Sequence, residues 1–97
     1  MREIPQQYNK YGFTHTLIER DGNVAIYEQR KPTHTSSYYE VVIIRKRKTD
    51  NDFAGTKAGD EYLPSTSEWG SYGWSYTSIE SAREKMSKII LEMSEKT

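Results

Sequence analysis

The chain has 97 residues with 14 basic and 14 acidic side chains, no cysteine, eight tyrosines and two tryptophans. Its length predicts one domain, residues 1–97, with a thin core, and the lack of cysteine excludes disulfides, thiolate metal ligands and cysteine nucleophiles. A net charge near zero argues against nucleic-acid binding driven by overall charge.

Residues 1–11 are polar and contain one proline. This composition predicts an irregular N-terminal arm, and the segment lacks the apolar region of a secretory signal. No part of the chain approaches the roughly 18 consecutive apolar residues that a membrane span requires. The sequence therefore predicts a cytoplasmic protein without a membrane partner.

Residues 12–48 have the pattern of a β-meander. Two β-prone runs flank Asp21 and Gly22, a dipeptide that favours the positive φ angles of a two-residue hairpin turn. This turn pairs Leu17 with Ile26 and places both on the core face. The run "YYEVVIIRKRK" forms the next strand, and because it is apolar on both faces in its middle, we expect it to be covered on both sides.

Residues 49–73 are rich in Gly, Asp, Ser and Thr and predict a long loop, in which residues 61–63 can add a short strand. Residues 74–97 predict a last short strand and an amphipathic helix over 78–94, with Thr77 as N-cap and Glu80 completing a capping box. The predicted fold class is α+β, an antiparallel β-meander of three to four strands covered by one C-terminal helix.

The sequence contains no catalytic motif. Its two histidines, His15 and His34, lack the spacing of known metal sites, and no cofactor or metal is predicted. The chain is therefore expected not to be an enzyme, unless a pocket forms around one of these histidines beside a group with a perturbed pKa.

Five aromatic residues lie between positions 60 and 76, interleaved with acidic residues. Trp and Tyr dominate the hot spots of protein interfaces, so we predict a protein-binding loop that uses Tyr62, Trp69 and Tyr72. Trp74 and Tyr76 alternate just before the helix, and packing between helix and sheet is favoured for them.

A basic run at the end of the long strand supports a second hypothesis, a single-stranded nucleic-acid-binding protein. Cationic side chains beside aromatic ones can follow a phosphate backbone and stack bases, although a charged end on a buried strand also protects against aggregation. The residues predicted for this alternative are Tyr38, Tyr39, Arg45, Lys46, Arg47 and Lys48.

The strand "YEVVIIRKRK", the long loop and the segment "SEWGSYGWSYTSIESAREKM" resemble small uncharacterised proteins encoded by bacteriophages and prophages. The resemblance covers roughly residues 12–90 and carries no site residues. It implies a bacterial or phage-infected host cytoplasm and a protein that binds a host or viral macromolecule.

Basic residues exceed acidic ones in residues 1–50 and the reverse holds in 51–97. Because such opposite charges can promote head-to-tail self-association, homo-oligomerisation is left open.

Overall fold

The computed structural model describes residues 3–33, 35–51, 53 and 55–95. Its main sheet is antiparallel and five-stranded, in the order β1-β2-β3-β4-β7, and a two-stranded sheet pairs β5 with β6. The elements are β1 (Gln7–Lys10), β2 (Phe13–Asp21), β3 (Val24–Arg30), β4 (Tyr38–Ile43), β5 (Arg45–Lys46), β6 (Glu61–Tyr62), a 3₁₀ turn (Thr66–Glu68), β7 (Gly73–Tyr76) and α1 (Ile79–Glu95). The predicted α+β class is confirmed.

Helix α1 covers one face of the main sheet, which we call the helix face. The apolar stripe of α1 contributes Ala82, Met86 and Ile89, and the central strands contribute Val24, Ile26 and Val41. Trp74 and Tyr76 pack against this cluster, half-buried. The predicted packing role of these two aromatic residues is therefore confirmed.

The opposite side of the sheet, which we call the back face, has its own apolar cluster. Its buried members are Ile4, Ala25, Tyr27, Val42 and Ile44, with Tyr8, Leu17 and Leu63 packed against them. The N-terminal segment crosses this face, where the Tyr27 hydroxyl donates a hydrogen bond to the carbonyl of Pro5 at 2.6 Å. Strands β3 and β4 are thus covered on both faces, which the apolar middle of the sequence predicted for β4 alone.

The segment predicted to be an irregular N-terminal arm contains strand β1 instead. Lys10 pairs with Phe13, and Tyr11 and Gly12 between them have φ angles of 54° and 78°. Two central residues with positive φ are what a type I′ hairpin requires. The signal was missed because tyrosine rarely adopts a positive φ.

The hairpin of β2 and β3 has a different register from the predicted one. Its loop is Gly22–Asn23, so Asp21 pairs with Val24, and Leu17 pairs with Tyr27 rather than Ile26. Gly22 has a φ of 61° at the first central position, as a type II′ turn requires. The register shifts between Leu17 and Glu19, so Leu17 faces the back of the sheet while Ile26 faces the helix.

The predicted long strand ends at Ile43, and the chain continues into a two-stranded ribbon, which we call the ribbon 45–62. Its described pairs run from Arg45 with Tyr62 to Asn51 with Thr56. Beyond β5 and β6, the Arg47 N–H donates to the Asp60 carbonyl at 2.8 Å, and the Gly59 N–H donates to the Arg47 carbonyl at 2.8 Å. Residues 59–62 of the predicted loop 49–73 are therefore paired with residues 45–47, and the short strand expected near residues 61–63 is present as β6.

Helix α1 begins one residue later than its predicted cap implies. The Ser81 N–H donates to the Ser78 hydroxyl at 3.2 Å, the bond from the third helical residue to an N-cap side chain. Ser78, not Thr77, is the N-cap.

Among the described residues, no helix has both the length and the apolar character needed to cross a membrane.

Candidate functional site

Trp69 is held against the back face by two contacts. Its indole ring lies directly over Gly73, whose missing side chain makes room for it, and its Nε1–H donates to the Ser75 hydroxyl at 3.1 Å. The tight loop that brings it there is closed by the Gly70 N–H, which donates to the Gly73 carbonyl at 2.7 Å. Trp69 keeps 38% of its surface exposed, so its indole is fixed in place on a residue that solvent reaches.

A pocket of about 220 Å³ opens beside this indole on the back face. Its apolar lining comes from Tyr8, Tyr11, Leu63, Pro64 and Trp69. These residues belong to β1, the turn that follows it, and the chain between β6 and β7, so the pocket lies where distant parts of the sequence meet.

The lining of the pocket contains a buried histidine, His15, and a largely buried carboxyl group, that of Glu40. His15 Nε2 lies 3.3 Å from Glu40 Oε1, and their side chains are 4% and 13% exposed. The ring of Tyr8 stacks on the imidazole, with 4.5 Å between the ring centroids and 4° between the ring planes. The pair is thus covered on one side by an aromatic ring and opens to the pocket through Glu40.

Burial shifts the pKa values of His15 and Glu40 in the directions that favour their neutral forms, not an ion pair. Desolvation lowers the pKa of His15 and raises the pKa of Glu40, whereas a strong ion pair would shift each in the opposite direction. The charge of Lys10, which also lines the pocket, lowers both pKa values. His15 is therefore neutral at pH 7 and brings no positive charge to the Glu40 carboxyl group.

Tyr8 and Tyr27 on the back face keep their phenol protons. Burial raises the pKa of Tyr27 to about 12, and burial also raises the pKa of Tyr8 well above its ordinary value. Both hydroxyls stay protonated at neutral pH, so neither can take a proton from a ligand.

Tyr62 and Tyr72, predicted to bind a partner together with Trp69, lie around Arg45 instead. The Arg45 guanidinium carbon is 3.9 Å from the Tyr72 ring centroid and 4.9 Å from that of Tyr62. Arg45 Nη2 also lies 2.5 Å from Glu68 Oε2. The three predicted residues therefore do not form one free surface, because Tyr62 and Tyr72 are half-buried in contacts with this cation.

The structure also separates the residues predicted to bind nucleic acid. Tyr39 packs against the helix-face core, and Tyr38, the next residue in β4, is exposed and points to the other face. Arg45 is paired with Glu68, and Arg47 lies 4.4 Å from the Tyr62 ring centroid. Lys46 and Lys48 remain exposed, so no described surface unites the two tyrosines with the four cations.

No local pattern in the sequence indicates that His15 and Glu40 are neighbours. They meet diagonally across β3, where His15 pairs with Gln29 and Glu40 pairs with Tyr27. The available hint was confined to Glu40, a charged residue in the otherwise apolar run of β4, because His15 lies between two threonines in β2. His34, the other histidine considered, lies outside the described residues.

Within the part of the chain that the structure describes, no group of three or more His, Asp or Glu residues is arranged to hold a metal ion. Comparisons with family models, curated proteins and solved structures give no match to this chain. The candidate site is therefore defined by its geometry: the back-face pocket, with the Trp69 indole at its edge and the His15–Glu40 pair in its lining.

Proposed function

We propose that the protein is a small non-catalytic binding module that docks on a protein partner through the back-face pocket, with Trp69 as the main contact. The observation that carries this proposal is the fixed and accessible indole of Trp69, held by Gly73 and Ser75 beside a pocket. A rigid aromatic anchor loses little conformational entropy on binding, and such residues supply much of the affinity of protein interfaces.

The local geometry supports recognition better than acid–base catalysis. His15 is buried beneath the ring of Tyr8 and its Nε2 faces Glu40. A general base must come within hydrogen-bond reach of the proton it removes, and this imidazole has little surface with which to do so. Glu40 reaches the pocket, but a lone carboxyl group can serve binding as well as proton transfer.

Tyr62 and Tyr72 contribute to this function indirectly in our proposal. Their contacts with Arg45, together with the Arg45–Glu68 ion pair, tie the ribbon 45–62 to the loop that carries Trp69. The resemblance to phage and prophage proteins supports a bacterial or phage-infected cytoplasm as the setting, and a host or viral protein as the partner.

A capture experiment tests the proposal. The immobilised wild-type protein, Trp69→Ala and Leu91→Ala are incubated with nuclease-treated bacterial lysate. Leu91 is an exposed apolar residue on α1 and serves as the matched control. We expect a protein that wild type and Leu91→Ala retain and that Trp69→Ala loses.

The captured protein is then purified and titrated against the three variants by calorimetry. Removing an interface anchor typically costs 2 kcal/mol or more of binding free energy, so we expect Trp69→Ala to weaken binding by about 30-fold. Equal affinity for wild type and Trp69→Ala would refute the proposal, and so would capture that depends on nucleic acid in the lysate.

A further inference from the structure

We propose that the back-face pocket accepts a cationic side chain, lysine or arginine, of the protein partner. This inference rests on the proposed function, since it names the chemistry that the same pocket recognises. It is carried by the position of Glu40 in the lining of a pocket that Tyr8, Tyr11 and Trp69 also line, and it assigns Glu40 as the specificity-determining residue of the site.

The first argument is the charge balance of the pocket. The Glu40 side chain is 13% exposed, and its Oε1 lies 3.3 Å from His15 Nε2. Burial lowers the pKa of His15, so the imidazole is neutral at pH 7 and does not compensate a carboxylate. Lys10 is the cation that acts on Glu40, and it is exposed to solvent. A largely buried carboxylate is costly unless it is closely paired, so a ligand that supplies a positive charge inside the pocket gains more here than a neutral or anionic one.

The second argument is the aromatic lining. Tyr8, Tyr11 and Trp69 line the same pocket as Glu40, and ring faces attract ammonium and guanidinium groups. The chain already shows both pairings: Lys10 Nζ lies 5.3 Å from the Tyr11 ring centroid, and Arg45 lies against Tyr72. Rings with a carboxylate behind them form a site for the alkyl stem and charged head of a basic side chain.

The third argument is size. A volume of about 220 Å³ is smaller than the roughly 300–1,000 Å³ of typical small-molecule pockets. A pocket of this size suits a single side chain presented by a larger partner. Since Tyr11 and Trp69 at the pocket are exposed, the partner can contact them while one side chain enters.

Lys10 makes it possible to distinguish a cationic ligand from an anionic one. It is exposed, it lines the pocket, and its charge already acts on Glu40. A cationic ligand would therefore be attracted by the Glu40 carboxylate and repelled by the Lys10 ammonium group. An anionic ligand would be attracted by Lys10 and repelled by Glu40. Neutralising each residue in turn has opposite effects for the two kinds of ligand.

The probes are three capped tripeptides, acetyl-Gly-X-Gly-amide, in which X is lysine, the uncharged norleucine of similar shape, or glutamate. Binding is followed in ¹H–¹⁵N spectra through the two indole N–H signals. The Trp69 signal reports on the pocket, and the Trp74 signal, from the helix face, is the internal control. Wild type, Glu40→Gln and Lys10→Gln are titrated with each peptide.

We expect the lysine peptide to shift the Trp69 signal and leave the Trp74 signal in place, with norleucine and glutamate binding more weakly. Glu40→Gln should weaken the lysine peptide about tenfold, because a hydrogen bond to a charged group is lost. Lys10→Gln should strengthen it about two- to fivefold, because an exposed like charge is removed. Lys10 is exposed, so that variant is expected to fold even if Glu40→Gln does not.

Three results would overturn the inference: equal binding of norleucine and lysine, preference for glutamate with weaker binding to Lys10→Gln, or no shift of the Trp69 signal with any peptide. Its failure is distinguishable from failure of the proposed function. If the captured protein still depends on Trp69 while the lysine preference is absent, only the cationic specificity is wrong. If capture does not depend on Trp69, the docking site itself is wrong.

Discussion

The indole of Trp69 lies against the backbone of Gly73 so closely that a Cβ atom at Gly73 would stand 2.5 Å from its Cζ3 and 2.6 Å from its Cε3. Glycine is required here because of this contact. The Ser75 hydroxyl, two residues further along the same strand, accepts the indole N–H. A short stretch of β7 thus fixes the ring that we propose as the main contact for the partner.

Gly73→Ala should displace the Trp69 ring and destabilise the protein. Overpacking of this kind typically costs about 1–3 kcal/mol. In a Trp69→Ala background the same substitution should cost less than about 0.5 kcal/mol, since the clashing ring is gone. Urea denaturation of the four proteins in a double-mutant cycle measures the coupling. Equal cost in both backgrounds would show that the ring does not rest on Gly73.

The helix cap gives a second prediction. Ser78→Ala removes the side chain that accepts the Ser81 N–H and should lower the free energy of unfolding by about 0.5–2 kcal/mol. Thr77→Ala, the neighbouring control, should change it by less than about 0.5 kcal/mol because Thr77 is exposed and outside the helix. Denaturant midpoints decide between the two residues, and a larger effect at Thr77 would restore the cap predicted from sequence.

The raised pKa of Glu40 predicts a pH-dependent effect of Glu40→Gln. Burial raises the pKa of Glu40 in the folded protein above its ordinary value of 4.5. At a pH above this raised pKa, the ionised carboxylate lowers the free energy of unfolding, and this loss disappears as the pH falls to 4.5. Glu40→Gln should therefore be more stable than wild type at pH 8, with an advantage that shrinks as pH falls through the raised pKa.

The groups that face Glu40 constrain how this pH profile is read. His15, Lys10, Tyr8 and Tyr27 surround it or share its face, and all are present in both proteins. His15 acts in the opposite direction, because its pKa lies below 6.5 in the folded state and stability is lost as pH falls through that range. Thermal unfolding from pH 8 to pH 4.5 tests the difference, and an advantage of Glu40→Gln that grows toward low pH contradicts it.

The contacts of Arg45 give a fourth prediction. Arg45→Lys keeps the charge but loses the planar group that lies against Tyr72 and Tyr62. The ribbon 45–62 should open more often, with about tenfold faster hydrogen exchange at the Arg47 and Gly59 amides, which bond across it. Lys48→Gln, at an exposed site, is the control. Unchanged exchange in Arg45→Lys would show that these stacks do not hold the ribbon.

The elements that the sequence predicted well are those with local signals. The stripe Ala82, Met86 and Ile89 repeats at helical spacing, and residues 38–43 form a run that is apolar on both faces. The cap was off by one residue because Thr77 and Ser78 are both good N-caps and stand side by side. The predicted turn of the β2–β3 hairpin was displaced by one residue because Asp21–Gly22 and Gly22–Asn23 both suit two-residue hairpin loops.

The candidate site could not be predicted, because it depends on long-range register. The irregularity at Ile18 sends Leu17 to the back face, and no local pattern marks it. Tyr62 and Tyr72 looked like free aromatic contacts because the sequence does not reveal that Arg45 would lie between them. Only the fold places His15 beside Glu40 and Trp69 over Gly73.

Site-specific photo-crosslinking tests the central claim most directly. A benzophenone amino acid replaces Tyr11, which is 79% exposed at the pocket, or Leu91, exposed on α1, and each protein is irradiated with the purified captured partner. We predict a covalent adduct from position 11 that Trp69→Ala abolishes, and none from position 91. An adduct from position 91 but not from position 11 would contradict the assignment of the back-face pocket as the docking site.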